Sequence, residues 1–210
     1  MSLKPHKINT ENNFISGWYL DDVSLCDELI QFFDGSPGKN SGQMTGYLGK
    51  GNVDTDAKDS MDLNLPRGEL ANRYILKLNE VARHYIEQYD YAGKLVPWGV
   101  VEPIAIQYYQ PGGGFKIWHF ERDNTNAQIA RRHLAFMTYL NDVNDDGGTS
   151  FYYQDITVKA KKGLTLIWPA EWTHTHKGQV SPTEEKYIIT GWFSTYTLEQ
   201  FEALQKKQKQ

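Results

Sequence analysis

The second half of this 210-residue chain is cut into short pieces, and that cutting limits what it can fold into. After Pro97, stretches rich in β-branched and aromatic residues alternate with Gly, Asp, Asn and Pro: 101–109, 115–121, 132–140, 149–152, 155–159, 163–168 and 185–195. Strands this short, at nearly regular spacing, predict a sandwich or jelly roll. Six Trp and thirteen Tyr fit strands better than a helical bundle.

The first half reads differently. Residues 1–15 are polar and predict an edge strand or an ordered arm. From Asp21 a helix is expected: Asp21 or Asp22 can cap it, and Val23, Cys26, Leu29, Ile30 and Phe33 recur on one face. The Gly-Ser-Pro-Gly run at 35–38 stops it. Residues 38–60 have little to bury and predict a long surface loop, with room for short strands and the length of a lid. Pro66 suits the first position of a second helix, carried to about Tyr89 by Leu70, Tyr74, Leu78, Val81 and Tyr85 and ended by Tyr91-Ala92-Gly93-Lys94. A short helix over Leu198–Leu204 closes the chain. The expected fold class is mainly β with supporting helices, in one domain over 1–210: helical support and loop at 1–96, a jelly-roll core at 97–196, and a closing helix and tail at 197–210.

Charge and cysteine usage exclude several roles. Net charge is −4, and the only basic run is Lys206-Lys207-Gln208-Lys209, read as a solvated chain end, so no nucleic-acid partner is expected. Cys26 is the only cysteine, which excludes an intrachain disulfide and suits a reducing compartment; on the apolar helix face it reads as buried and inert. The start lacks the apolar core of a signal peptide, and no run reaches the roughly 18 apolar residues of a membrane span. A cytoplasmic protein with no membrane partner is the expectation.

The chemistry concentrates in two stretches, Tyr109–Glu121 and His174–Trp192. In an extended strand His119 and Glu121 point to one face and Phe120 to the other. An imidazole and a carboxylate side by side can give two ligands to one metal, and a third from a distant His completes a facial set with open positions. His174 and His176 both lie after the strand-like run Leu164–Trp168. Ten residues beyond His176, Lys186 opens the apolar strand Lys186-Tyr187-Ile188-Ile189-Thr190-Gly191-Trp192. A lone cation among buried neighbours calls for an anion.

Together these residues resemble the prolyl 4-hydroxylase-like branch of the 2-oxoglutarate- and Fe(II)-dependent dioxygenases. That family carries His-x-Asp, a distal His, then Lys or Arg nine or ten residues on, in a strand ending in Trp; His119, Glu121, His176, Lys186 and Trp192 fall in that order. Tyr109 stands ten residues before the first His, with Gly112-Gly113-Gly114 between. Tyr139-Leu140-Asn141 and Gly147-Gly148-Thr149-Ser150-Phe151 match further segments, and the likeness spans about residues 100–195. It implies a double-stranded β-helix that binds Fe(II) and the cosubstrate 2-oxoglutarate, with ascorbate as a further cofactor. The implied reaction hydroxylates a C–H bond of a small molecule or peptide while 2-oxoglutarate becomes succinate. Lys186 would meet the far carboxylate of 2-oxoglutarate, Tyr139 and Thr190 would donate to the same end, and Tyr109 would contact the cosubstrate or a metal-bound water.

Two departures stand out. The carboxylate is Glu121 where the family uses Asp, one C–C bond or roughly 1.5 Å longer in reach. The doublet His174/His176 offers two ligands that an extended strand would turn the same way; the spacing to Lys186 favours His176, leaving His174 to support the ligands from behind or to line the substrate groove. Trp118 and Trp172 flank the proposed ligands and read first as core packing and second as substrate walls, Arg122 is expected to pair with a nearby Asp or else to meet a substrate, and the loops 38–60 and 122–130 are expected to choose the substrate. Two alternatives compete: a cupin-like metalloenzyme using His119, Glu121, His174 and His176 without 2-oxoglutarate, and a metal-free jelly-roll binding module.

Overall fold

The computed structural model of the chain describes residues 4–6, 8, 13–45, 51–94 and 96–208. It opens with β1 (Lys4–His6), β2 (Ser16–Tyr19) and helix α1 (Ser24–Gly35). The stretch expected as a loop carries β3 (Asn40–Ser41), β4 (Met44–Thr45), β5 (Gly51–Asn52) and β6 (Lys58–Asp59), and β7 (Met61–Asn64) follows. Residues 46–50 of that loop lie outside the described residues. Helix α2 (Glu69–Gln88) and the single turn α3 (Tyr91–Lys94) precede β8 (Trp98–Val100), β9 (Ala105–Tyr109) and β10 (Gly114–Phe115). Then come β11 (Arg132–Tyr139), β12 (Thr149–Phe151), β13 (Ile156–Val158), β14 (Leu164–Pro169), β15 (His176–Gly178), β16 (Lys186–Thr195) and helix α4 (Leu198–Gln208).

The large sheet runs β1-β2-β14-β11-β16-β9-β7-β3, with β8 also on β16. A smaller sheet, β13-β12-β15, packs on its inner face through Phe151 and Val158, which meet Met137, Tyr139, Leu166 and Trp168. This is a jelly roll, mostly antiparallel, with helices on the outside of the large sheet. The N-terminal region does more than brace it. The strands β1, β2, β3 and β7 extend the large sheet at both edges. Gly17 makes this addition possible on one side, because a Cβ there would stand 2.7 Å from the Leu166 side chain.

Strand alternation sorts the side chains into two compartments. In β16, Tyr187, Ile189 and Phe193 turn to the helices, while Lys186, Ile188, Thr190 and Trp192 turn inward. In β11, Leu134 and Phe136 face the helices and Ala135, Met137 and Tyr139 face inward. A β-bulge between Arg132 and Leu134 breaks this rhythm: both Arg132 and His133 stand where one residue would, and Arg132 pairs with Ser194. Without the bulge Arg132 would face the helices. With it, the guanidinium lies inside the roll, over the Trp192 ring at 3.4 Å.

The helices form where their apolar spacing allows. On α2, Ala71, Tyr74, Leu78, Val81, Ala82 and Tyr85 are buried against the large sheet. It begins at Glu69, three residues after Pro66, because the chain is still extended at Gly68, with φ 165°. On α1, Leu25, Cys26, Leu29 and Phe33 are buried, and Asp22 accepts from the Ser24 backbone N–H at the entry. The residues expected only to stop α2 form the extra turn α3, and α4 runs to Gln208 rather than Leu204.

One polar thread crosses this apolar interface. The Tyr74 hydroxyl bonds to Thr138 Oγ1 at 2.9 Å, and Thr138 bonds to Thr165 Oγ1 at 2.7 Å, all three residues fully buried. Tyr74→Phe leaves the threonine pair satisfied and is expected to cost about 1 kcal/mol. Thr138→Val strands two buried hydroxyls and should cost more, about 1–3 kcal/mol for each unpaired group. Urea denaturation of the two variants measures the difference.

Candidate metal centre

The site is assembled by a backbone contact. His119 and His176 exchange reciprocal N–H···O=C bonds, both 2.9 Å, as an isolated antiparallel bridge beside β15. Residues paired this way project to one side of the sheet. The two imidazoles therefore stand together, ring centroids 4.4 Å apart. The strand expected over 115–121 is confined to Gly114–Phe115, yet the His119-x-Glu121 alternation survives because Glu121 N–H bonds to Ala170 O. His119 Nε2 lies 3.6 Å and His176 Nε2 3.3 Å from Glu121 Oε1. One donor atom from each of the three falls within 4.8 Å of the others.

Hydrogen bonding fixes which ring nitrogen is available. His119 Nδ1 faces Ile117 O at 3.0 Å, and His176 Nδ1 faces His174 O at 2.9 Å. A carbonyl only accepts, so each Nδ1 carries the proton and each Nε2 presents a lone pair. Burial, and then the neighbouring His176, hold His119 below the ordinary histidine range. Burial alone would raise the Glu121 carboxyl, but the two imidazoles outweigh it and hold the group well below the ordinary range. Two imidazoles and a carboxylate are a donor set suited to ferrous iron. The rings are clamped as well: Phe115 stacks on His119 at 3.6 Å, and Trp168 and Phe151 wall in His176.

These three residues line a cavity of about 330 Å³ between the two sheets. Tyr109, Tyr139, Lys186 and Thr190 line it too, with Arg132 and Trp192. Lys186 is 4% exposed and has no carboxylate partner among the described residues. Its ammonium donates to Gly147 O at 3.0 Å and Gln179 O at 3.1 Å and lies 4.9 Å from the Tyr109 ring centre. The Gly147 carbonyl is aimed there by a left-handed pair, Asp146 at φ 61° and Gly147 at φ 69°; a Cβ on Gly147 would stand 2.5 Å from Val143. Burial pushes the Lys186 ammonium down to about 8. An ammonium so placed suits the far carboxylate of a dicarboxylic acid. Tyr109 donates to Gln107 at 2.7 Å, and Tyr139 bonds Thr149 at 2.6 Å. From the two loops expected to choose the substrate, Gln43, Met44 and Asn52, then Asp123 and Ile129, reach this cavity.

Several expectations need correction. His174 does not join its neighbour, because Trp172–His174 is a 3-10 turn rather than extended strand, and it swings the ring away. His174 Nε2 meets Asn13 O at 2.9 Å, which commits that nitrogen to donation. It is therefore neither an alternative metal ligand here nor a cavity wall. Thr190 lines the cavity, but its hydroxyl donates to Phe136 O at 2.9 Å, so its proton is not free for a ligand. Trp118 turns to the outer face, edge-on to Tyr152 and beneath Lys177; Trp172 is exposed against Tyr153; Arg122 pairs with Glu171 at 2.6 Å. None of these three lines the metal-facing cavity. Two further residues belong to the site without standing in any motif: Arg132, which lines the cavity, and Glu102 behind it. Glu102, a lone acid in Val100-Val101-Glu102-Pro103-Ile104, is 7% exposed and holds Arg132.

Comparison with known proteins agrees with this geometry. Residues 104–194 match the 2OG-Fe(II) oxygenase superfamily. That stretch is an oxygenase domain of this superfamily. This oxygenase is similar in fold to the viral collagen prolyl hydroxylase of Paramecium Bursaria Chlorella virus-1, solved as a 2OG complex, at 17% identity and TM-score 0.64, over 90% of this chain and 100% of the other. It is similar also to a Pseudomonas putida prolyl-4-hydroxylase, at 18% identity and TM-score 0.66, over 87% and 94%. A third likeness is to a Trichoplax adhaerens prolyl hydroxylase in complex with a hypoxia inducible factor oxygen degradation domain peptide fragment, at 15% identity and TM-score 0.65, over 88% and 84%. No curated protein matches the chain by sequence. The oxygenase is a 2-oxoglutarate-dependent non-haem iron dioxygenase with the fold of the prolyl hydroxylases, and its cofactors are Fe(II) and 2-oxoglutarate.

The two histidines of the doublet separate cleanly by metal titration. His176→Ala is expected to lower Co(II) affinity by more than the roughly 10–100-fold that loss of an outer partner costs. His174→Gln should stay near wild type in anaerobic calorimetry.

Proposed function

We propose that His119 and His176 through Nε2, and Glu121 through its carboxylate, hold the Fe(II), and that Lys186 receives the far carboxylate of 2-oxoglutarate. The observation that carries this reading is one cavity with three convergent donors at one place and a buried, carboxylate-free ammonium at another. When bound, the iron and cosubstrate supply oxidative decarboxylation to succinate coupled to hydroxylation of a C–H bond.

The chain's own part is binding, orientation and dryness. Lys186 gives a fixed positive charge in an apolar wall, where an ion pair is worth more than in water. Tyr109 and Tyr139, both raised above the ordinary tyrosine range by burial, remain neutral phenols beside it. Phe115, Ile188 and Trp168 keep water away from the donors. No side chain acts as a strong base. The substrate is a peptide or small molecule entering past Gln43, Met44 and Asn52 on one side and Asp123 and Ile129 on the other. The peptide bound by the Trichoplax adhaerens neighbour favours the first. We place the enzyme in the cytoplasm on the strength of its single buried thiol, with ascorbate as an auxiliary reductant. Among the described residues no helix is long and apolar enough to cross a membrane.

The cupin-like alternative makes Lys186 incidental, and the binding module makes the donor set incidental; their joint presence in one cavity favours the oxygenase. Succinate formation from 2-oxoglutarate, screened with Fe(II) against peptides and small metabolites, tests the activity; no turnover with any metal-loaded preparation would sink it. Lys186→Ala is expected to weaken anaerobic 2-oxoglutarate binding by about 10–100-fold, the 1.5–3 kcal/mol of a charge-assisted hydrogen bond. Because only the protonated ammonium attracts the carboxylate, affinity should be flat below pH about 8 and fall as pH rises through it. Calorimetry from pH 7 to about 9 reads this slope, and Lys186→Arg, charged throughout, should flatten it.

A further inference from the structure

Glu121 is one methylene longer than an aspartate, and the structure shows where that length goes. Its two oxygens have separate duties. Oε1 faces both imidazole Nε2 atoms, at 3.6 and 3.3 Å. Oε2 turns the other way and accepts from Trp192 Nε1 at 2.8 Å, with Arg132 Nη1 at 3.8 Å. The Trp192 indole is in turn held flat beneath the Arg132 guanidinium, 3.4 Å from the ring centre. Arg132 is fixed by both oxygens of Glu102, at 2.7 to 3.2 Å, and by its own bond to Glu121 O at 2.9 Å. Ser194 Oγ completes the brace by donating to Glu102 Oε1 at 3.1 Å.

From this arrangement, and resting on the metal-centre reading above, we infer that Glu121 is a one-oxygen metal ligand whose second oxygen is taken by Trp192, and that Trp192 with Arg132 are positioning residues fitted to Glu rather than Asp. An aspartate on the same backbone falls short by roughly 1.5 Å. It can reach the donor cluster or the indole N–H, but not both. The carboxylate's angle is therefore set by the indole, and the indole's by the buried Arg132–Glu102 pair. Shortening Glu121 to Asp should therefore weaken this centre.

A double-mutant cycle in Co(II) binding tests the inference, with anaerobic calorimetry for affinity and visible absorption for coordination. Trp192→Phe keeps a ring and removes the N–H; it should weaken Co(II) by about 10–100-fold and alter the absorption bands, because the freed oxygen can swing to the metal. Glu121→Asp should weaken binding by a similar factor. In the Glu121→Asp background, Trp192→Phe should change affinity less than about twofold, since the bond it removes is no longer made. Arg132→Lys, which keeps the charge but loses the two-oxygen grip on Glu102, should shift the same bands. Wild-type affinity and bands in both Trp192→Phe and Arg132→Lys overturn the inference, as does an equal loss from Trp192→Phe in the two backgrounds. Wild-type protein that takes up no Co(II) overturns the metal-centre reading itself, and this inference with it.

Discussion

Two backbone hydrogen bonds hold the functional end of this molecule together. The reciprocal pair between His119 and His176 joins stretches more than fifty residues apart in the chain and makes neighbours of their side chains. Everything else about the donor set is orientation. Each imidazole spends its Nδ1 proton on a carbonyl close by in its own stretch, which turns the opposite nitrogen toward the third donor. Aromatic rings then remove the remaining freedom. A site built this way needs little rearrangement to receive a cation, because the ordering entropy is met by the fold rather than at the moment of binding.

The cavity's other charged feature works in the opposite sense. Lys186 sits deep in the roll with carbonyl dipoles and an aromatic face for company but no acid among the described residues. Such a cation is destabilising for the empty fold, and its presence is explained by what it can attract. The left-handed Asp146-Gly147 turn belongs to this arrangement, since it brings a carbonyl to the ammonium at a position where a side chain would collide with Val143. Local backbone conformation and long-range charge recognition are thus tied at one residue.

Much of the architecture could be read from the chain because short-range periodicity dominates it. The β16 sequence Lys186-Tyr187-Ile188-Ile189-Thr190 places alternate residues in alternate compartments, as its pattern implies, and α2 follows its apolar spacing from Ala71 to Tyr85. The His119-x-Glu121 geometry was legible for the same reason. What escaped was whatever depends on a break in period. A 3-10 turn before β15 gives His174 and His176 different directions although they are two residues apart. Hydroxyl bookkeeping was equally hidden: the Thr190 proton goes to a carbonyl on the neighbouring strand, which no local pattern announces. Glu102 had a signal, a single acid in an apolar stretch, but its partner lay thirty residues away.

The bulge in β11 has a consequence for how this architecture can vary. It acts as a dislocation acts in a crystal, with one surplus unit changing which side of the lattice every later site occupies. Upstream of it, parity is reversed, so Arg132 belongs to the interior while His133 looks outward toward Ala92. Loss of Arg132 that closed the bulge would put the His133 imidazole in the place of the guanidinium at the rim of the reaction chamber, with every other residue of the strand unchanged.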